Sequence, residues 1–183
     1  GIAYDSGDFA GLLERAVGEA DWSGFAERRA AAKAAGRLRG IGLALFLEPS
    51  GGGGAPKDQV ALRFAPDGRL KLHAVSQCHG QGHETVFPEL VAGVLGLPAG
   101  RIVLDTADPI TLGMMGNGVV GSRSIQQFGS AFHLGAQEVV RKGRVLAAAR
   151  LEADAEDLDF ADGRYTVKGT DLGVSLAELV EAH

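Results

Sequence analysis

Apolar residues recur at helical spacing near the start of the chain. Leu12, Leu13 and Val17 follow Asp8, whose carboxylate suits a helix cap. Ser23 stands in the same relation to a second helical run, Phe25 to Ala35, which Gly36 terminates. Glu27, Arg28, Arg29 and Lys33 form a charged face that reads as solvated. From Leu38 to Glu48 the pattern changes period. Ile41, Leu43, Leu45 and Leu47 alternate with Gly40, Gly42, Ala44 and Phe46, which predicts a strand buried on both faces. Pro49 to Pro56 contains four consecutive glycines and predicts a flexible loop. It lacks the Gly-Lys-Ser/Thr ending of a nucleotide-binding loop and opens no helix.

Two hairpins follow. Val60, Leu62 and Phe64 alternate on one arm, and Leu70, Leu72 and Ala74 on the other, with Asp67-Gly68 as the turn. Later, Leu158 and Phe160 lead into Asp162-Gly163, and Tyr165 and Val167 lead out. Between the hairpins the pattern predicts a helix over Glu84–Leu95, a short strand over Arg101–Asp105 and a long helix over Ser124–Leu151. Ile125, Phe128, Phe132, Gly135, Val139 and Leu146 mark the stripe of the long helix. Ser175 and Glu178 have capping-box spacing for a last helix. Small mixed sheets with hairpins, packed by helices of which one is long, define an α+β fold. We read one domain over 1–183: a helical lead-in at 1–36, strands and a first helix at 37–123, and the long helix, hairpin and last helix at 124–183. The two hairpin-plus-helix groups hint at duplication, but their residues are too dissimilar to establish a repeat.

Composition narrows the function. The chain has 183 residues and a net charge of −5, which argues against a nucleic-acid surface. A single cysteine, Cys78, points to a reducing compartment and hence the cytoplasm. No apolar run approaches the roughly 18 residues of a membrane span, and no basic-then-apolar leader opens the chain. Glycine is the outlier at 28 residues, which implies tight turns and close backbone approaches. No Gly-x-Ser-x-Gly elbow supports acyl transfer.

Two glycine-led segments carry the candidate chemistry. Gln77-Cys78-His79-Gly80-Gln81-Gly82-His83-Glu84-Thr85 follows a strand and opens a helix. The first N–H groups of a helix have no internal partner and lie at its positive end, so such a turn suits phosphate or a polar ring. Gln81 adds amide donors and an acceptor. The second segment, Gly113 to Ser124, also precedes a helix. Ser122 and Ser124 are candidate caps, and Arg123 can pair bidentately with phosphate. Read separately, each segment is also explained by an ordinary capped, glycine-rich turn. Read together, they resemble a clamp for an extended, phosphate-bearing cofactor, and we expect 79–85 and 121–124 to converge at two helix N-termini.

The motif Gly-Gln-Gly-His-Glu-Thr over residues 80–85 resembles that of the molybdenum subunits in the carbon monoxide dehydrogenase-like branch of the xanthine dehydrogenase and aldehyde oxidase family. Gly121-Ser-Arg-Ser124 resembles the family's Gly-Ser-Arg-Ser segment at similar spacing. The flanks agree: Tyr4 to Asp8, Leu95-Gly-Leu-Pro98 leading to Asp108, and the Asp-Gly hairpin within Glu156 to Thr170. The resemblance places Gly80, Gln81, Gly82, Gly121, Ser122, Arg123 and Ser124 at a molybdopterin cytosine dinucleotide, with His83 and Glu84 ranked after them. It implies an enzyme that hydroxylates aldehydes or N-heterocycles, or oxidises CO, with oxygen from water. It also implies flavin-binding and two-iron, two-sulfur partner subunits, and an oligomer when intact.

The family's catalytic glutamate lies in a Gly-Glu-Gly-like segment that this chain lacks, so the chain is expected to be a part of such a subunit and inactive alone. Cys78 is strand-end sequence, not the copper-bridging loop of carbon monoxide dehydrogenases, and reads as a structural thiol. Two other readings stand beside this one: a scaffold or interaction domain, and a metal site using His79 and His83 at i, i+4. His73 and His133 read as structural. Because Gln81 and Arg123 fall in turns, replacing either is expected to change fold stability little.

Overall fold

The alternation of Val60–Phe64 and Leu70–Ala74 becomes an antiparallel hairpin in the computed structural model, which describes residues 4, 6–48, 50–51, 57–106 and 113–182. Strands β1 (Val60–Phe64) and β2 (Leu70–Ala74) pair from Val60 opposite Ala74 to Phe64 opposite Leu70. Strand β3 (Ile102–Asp105) joins β2 in parallel, with Leu70 opposite Ile102. A parallel return needs a crossover, and helix α3 (His83–Leu95) supplies it. One face of this sheet carries Leu70, Leu72, Ala74, Ile102 and Leu104 into the core. Phe87, Val91 and Leu95 of α3 meet them there, with Phe128 and with Phe132 and Ala136 of helix α4 (Ser130–Leu151).

A second antiparallel sheet comprises β4 (Leu158–Ala161), β5 (Arg164–Val167) and β6 (Gly173–Ser175). Tyr165 fastens it to α4. Its buried hydroxyl donates to the Val140 carbonyl at 2.8 Å, and burial pushes its pKa up to about 12. Gly143 leaves room for that ring, since a Cβ there would lie 2.3 Å from the Tyr165 oxygen. The predicted capping box is present: Ser175 accepts from the Glu178 N–H at 3.1 Å, and Glu178 accepts from the Ser175 N–H at 2.8 Å. It starts α5 (Leu176–Glu181). Helices and two small sheets make the α+β class expected above.

By its internal contacts the chain divides into two compact units, Gly1–Glu48 and Pro49–His183. In the first, α1 (Phe9–Glu19) is capped by Asp8, which accepts from Gly11 N–H at 2.9 Å. Helix α2 (Phe25–Ala34) departs from expectation at its start: Gly24 is the cap residue, and Asp21, not Ser23, accepts the Gly24 N–H. The strand predicted over Leu38–Glu48 does not form. Leu43, Leu45, Phe46 and Leu47 are exposed, and no described strand pairs with them. A period-two apolar pattern marks a strand only where a neighbouring strand takes up its backbone groups. Residues 52–56, which include three of the four consecutive glycines, and Asp108 lie outside the described residues.

The long helix forms over the stretch the sequence predicts, with its first turn wound differently. Ile125–Gly129 forms one π-helical turn, and regular α-helix runs from Ser130 to Leu151. Ser124 is the cap residue but contributes no side-chain cap.

Candidate cofactor site

The first turn of the site grows from the end of β2. Gly80 (φ +102°) and Gly82 (φ +78°) adopt left-handed backbone that admits glycine without strain. Gly82 is the N-cap of α3, and no side chain caps that helix. Gln81 folds back on its own turn: its Nε2 donates to the Gln77 carbonyl at 3.0 Å, and its Oε1 accepts the His79 N–H. Glu84 accepts from the Cys78 thiol at 2.9 Å. That bond, followed by the glutamate's own N–H, holds the carboxyl below the usual carboxylate range. His83 is buried, its Nδ1 3.1 Å from Ser76 Oγ and its ring 4.8 Å from that of Phe87. Desolvation pushes its pKa down, so the ring is neutral near pH 7.

The second turn is built on strain. Gly121 (φ +59°) and Ser122 (φ +52°) are consecutive left-handed residues, and Ser122 pays for its Cβ there. Arg123 then turns inward. Its guanidinium is buried against Asp58, with Nη2 2.6 Å from Oδ2 and Nη1 3.3 Å from Oδ1. The shorter contact is ionic proximity without hydrogen-bond alignment, and the buried Arg123 Nε has no hydrogen-bond partner. Arg123 is therefore not the free phosphate-pairing side chain expected from sequence. A turn position predicted exposure, but a carboxylate 65 residues earlier in the chain draws the side chain into the interior.

The two turns meet. Gln81, His83, Val86 and Phe87 from one, and Val119, Ser122, Ser124 and Ile125 from the other, line a cavity of about 340 Å³. Of the residues singled out in the sequence, Gln81, His83, Ser122 and Ser124 reach this cavity. Gly80, Gly82, Glu84 and Gly121 shape the turns without lining it, and Arg123 faces away. Both helix starts converge, α3 at Gly82 and the π-turn at Ser124. Sequence reading missed Asp58 and Ser76, short polar residues beside strands that carry no local signal of their contacts. Among the described residues no group of three or more His, Cys, Asp or Glu side chains is placed to hold a metal ion. His83 Nδ1 is engaged by Ser76, so the His79–His83 metal pair gains no support.

The cavity suits part of a pterin. Its apolar walls match a flat ring, and its amide and hydroxyls match polar edges.

Comparison with known proteins gives the family. Residues 15–183 match the model of the molybdopterin cofactor-binding domain. The chain is 33% identical over 183 residues to the carbon monoxide dehydrogenase large chain of Hydrogenophaga pseudoflava, covering 93% of this chain and 23% of that one. It is 35% identical over 179 residues to the 6-hydroxypseudooxynicotine dehydrogenase complex subunit gamma of Paenarthrobacter nicotinovorans, covering 98% and 22%. Its structure superposes on CO dehydrogenase from Oligotropha carboxidovorans with a TM-score of 0.67 at 28% identity, covering 100% of this chain and 24% of that one. The chain thus spans about a quarter of the length of the relatives it matches. A family match over nearly the whole chain shows that it belongs to the molybdopterin cofactor-binding domain family.

Proposed function

We propose that this chain supplies one wall of the pyranopterin site in the large subunit of a molybdenum hydroxylase, and that the cofactor is molybdopterin cytosine dinucleotide. The observation that carries the reading is the single cavity shared by the two motif turns. When bound, the molybdenum centre supplies two-electron redox chemistry with water as the oxygen source. The residues of this chain bind and orient. Gln81 spends one amide hydrogen on Gln77 and keeps the second for a ligand oxygen. Ser122 and Ser124 offer hydroxyl donors, and the start of α3 adds its positive dipole end. Val86, Phe87, Val119 and Ile125 exclude water and strengthen those bonds. Neutral His83 packs without adding charge.

A cavity of about 340 Å³ holds a part of a dinucleotide, so the remaining walls come from elsewhere in the complete subunit. In that subunit the substrate is an aldehyde, an N-heterocycle or CO, and electrons leave through iron–sulfur and flavin partner subunits. A single cysteine leaves no disulfide within this chain, which supports a reducing compartment such as the cytoplasm. Among the described residues no helix is long and apolar enough to cross a membrane.

The test uses the complete large subunit with Gln81→Ala. A hydrogen bond to a charged partner is worth roughly 1.5–3 kcal/mol, and about 1.4 kcal/mol is tenfold. Molybdenum and cytosine-nucleotide retention should fall by about tenfold to a hundredfold, with thermal melting little changed. Unchanged content would overturn the assignment and favour a scaffold role. The 183-residue chain alone is expected to hold no stoichiometric molybdenum, because it carries one wall of the site.

A further inference from the structure

We propose that Asp58 is a positioning residue for the cofactor wall. Through Arg123 and the Asn117 backbone it holds the second motif turn in the conformation that brings Ser122 and Ser124 to the cavity. The inference rests on the site reading above and adds what holds that site open.

The starting observation is Ser122. Its φ of +52° is a conformation that residues with a Cβ avoid, and one that persists only where the surroundings over-determine it. The next residue is where the surroundings take hold. Arg123 is buried with its guanidinium clasped by the equally buried Asp58. The same carboxylate accepts the Asn117 N–H at 2.8 Å, so one side chain grips the second segment at two points six residues apart. Gln59 adds a reciprocal pair with Met115: its Oε1 accepts the Met115 N–H at 2.8 Å, and its own N–H donates to the Met115 carbonyl at 2.9 Å.

Asp58 sits two residues before β1, and Val60 at the start of β1 pairs with Ala74 at the end of β2. Beyond Ala74 the chain enters the first motif turn. The clasp therefore ties the second turn to the strand pair from which the first turn emerges, and so sets the spacing across the cavity. An error of about 1 Å in such a wall is enough to cost on the order of a hundredfold in function.

A buried ion pair also contributes to folding, so the experiment separates the two roles. In the complete large subunit, molybdenum and cytosine-nucleotide content per folded subunit and the melting temperature are measured for four variants. These are Asp58→Asn, Asp58→Glu, Gln81→Ala and Leu158→Ala. Leu158 is a core residue of the second sheet, which lends no residue to the cavity. Asp58→Asn is expected to lower cofactor content about tenfold or more. Asp58→Glu should recover part of it by keeping the charge. Leu158→Ala should retain cofactor within about twofold of wild type even where its melting temperature falls as far. Content preserved in Asp58→Asn but lost in Gln81→Ala overturns the positioning role and leaves the site reading intact. Content preserved in both overturns the site reading and this inference with it. If Asp58→Asn does not accumulate as folded protein, Arg123→Lys decides. It keeps the charge and deletes the fork: lowered content against the Leu158→Ala control supports the role, and unchanged content overturns it.

Discussion

Arg123 Nη2 lies 2.6 Å from Asp58 Oδ2, and each side chain is only 1% exposed. Two ions withdrawn this far from water are tolerable only as a pair. The arginine that sequence spacing offers to a phosphate is thereby committed to the protein's own carboxylate, and the cavity is left to the Gln81 amide and the Ser122 and Ser124 hydroxyls.

Contrary to the small effect expected from its turn position, Arg123→Ala is expected to destabilise the fold by about 3–5 kcal/mol, because it strands the buried Asp58 carboxylate in the interior. Replacing both partners, as Asp58→Leu with Arg123→Met, should recover most of that loss. Chemical denaturation of the single and double variants checks it. A single variant as stable as wild type would show that the carboxylate reaches water by another route.

Ser122→Gly should move stability and binding in opposite directions. Relief of the left-handed backbone is worth about 1–2 kcal/mol, against about 0.4–1 kcal/mol of extra chain entropy that glycine loses on folding. The net expectation is a gain of about 0.5–1 kcal/mol. Loss of the hydroxyl donor should weaken cofactor retention in the complete subunit several-fold. Denaturation midpoints and nucleotide content, measured on the same preparations, test both halves.

Acidification should act on His83 before it acts on the carboxylates. Burial lowers the pKa of His83 below its ordinary 6.5, so the unfolded chain binds this proton more readily than the fold does. Its contribution to stability is complete above about pH 6.5 and declines as the pH falls below that value. Glu84 and Glu178 are held below their ordinary 4.5, chiefly by the Cys78 thiol and the Ser175 N–H respectively. Their contributions are lost only as the pH falls from about 4.5 downward. Melting temperatures should therefore slope downward between about pH 7 and 5, and His83→Gln should flatten that slope. An equal slope in both proteins would remove His83 as its cause.

Most of the second unit was legible because its signals are local. The Asp67-Gly68 and Asp162-Gly163 turns, the alternation in the hairpin arms and the Ser175–Glu178 capping box each act within a few residues. The start of the long helix was legible too; what the pattern does not carry is that its first turn, Ile125–Gly129, is wound as a π-turn beside the cavity. Leu38–Glu48 misled, because its alternation states what the segment would bury without naming a strand to pair with.

By itself the sequence determined the α+β elements, the two glycine-led helix starts and the family, because turn chemistry, periodicity and a motif are written in neighbouring residues. Only the tertiary structure decided which motif residues face the cavity. Gln81 and Ser122 reach it and Arg123 does not, because a charge buried in the interior takes the nearest opposite charge in space, and Asp58, just before β1, is 65 residues away in sequence.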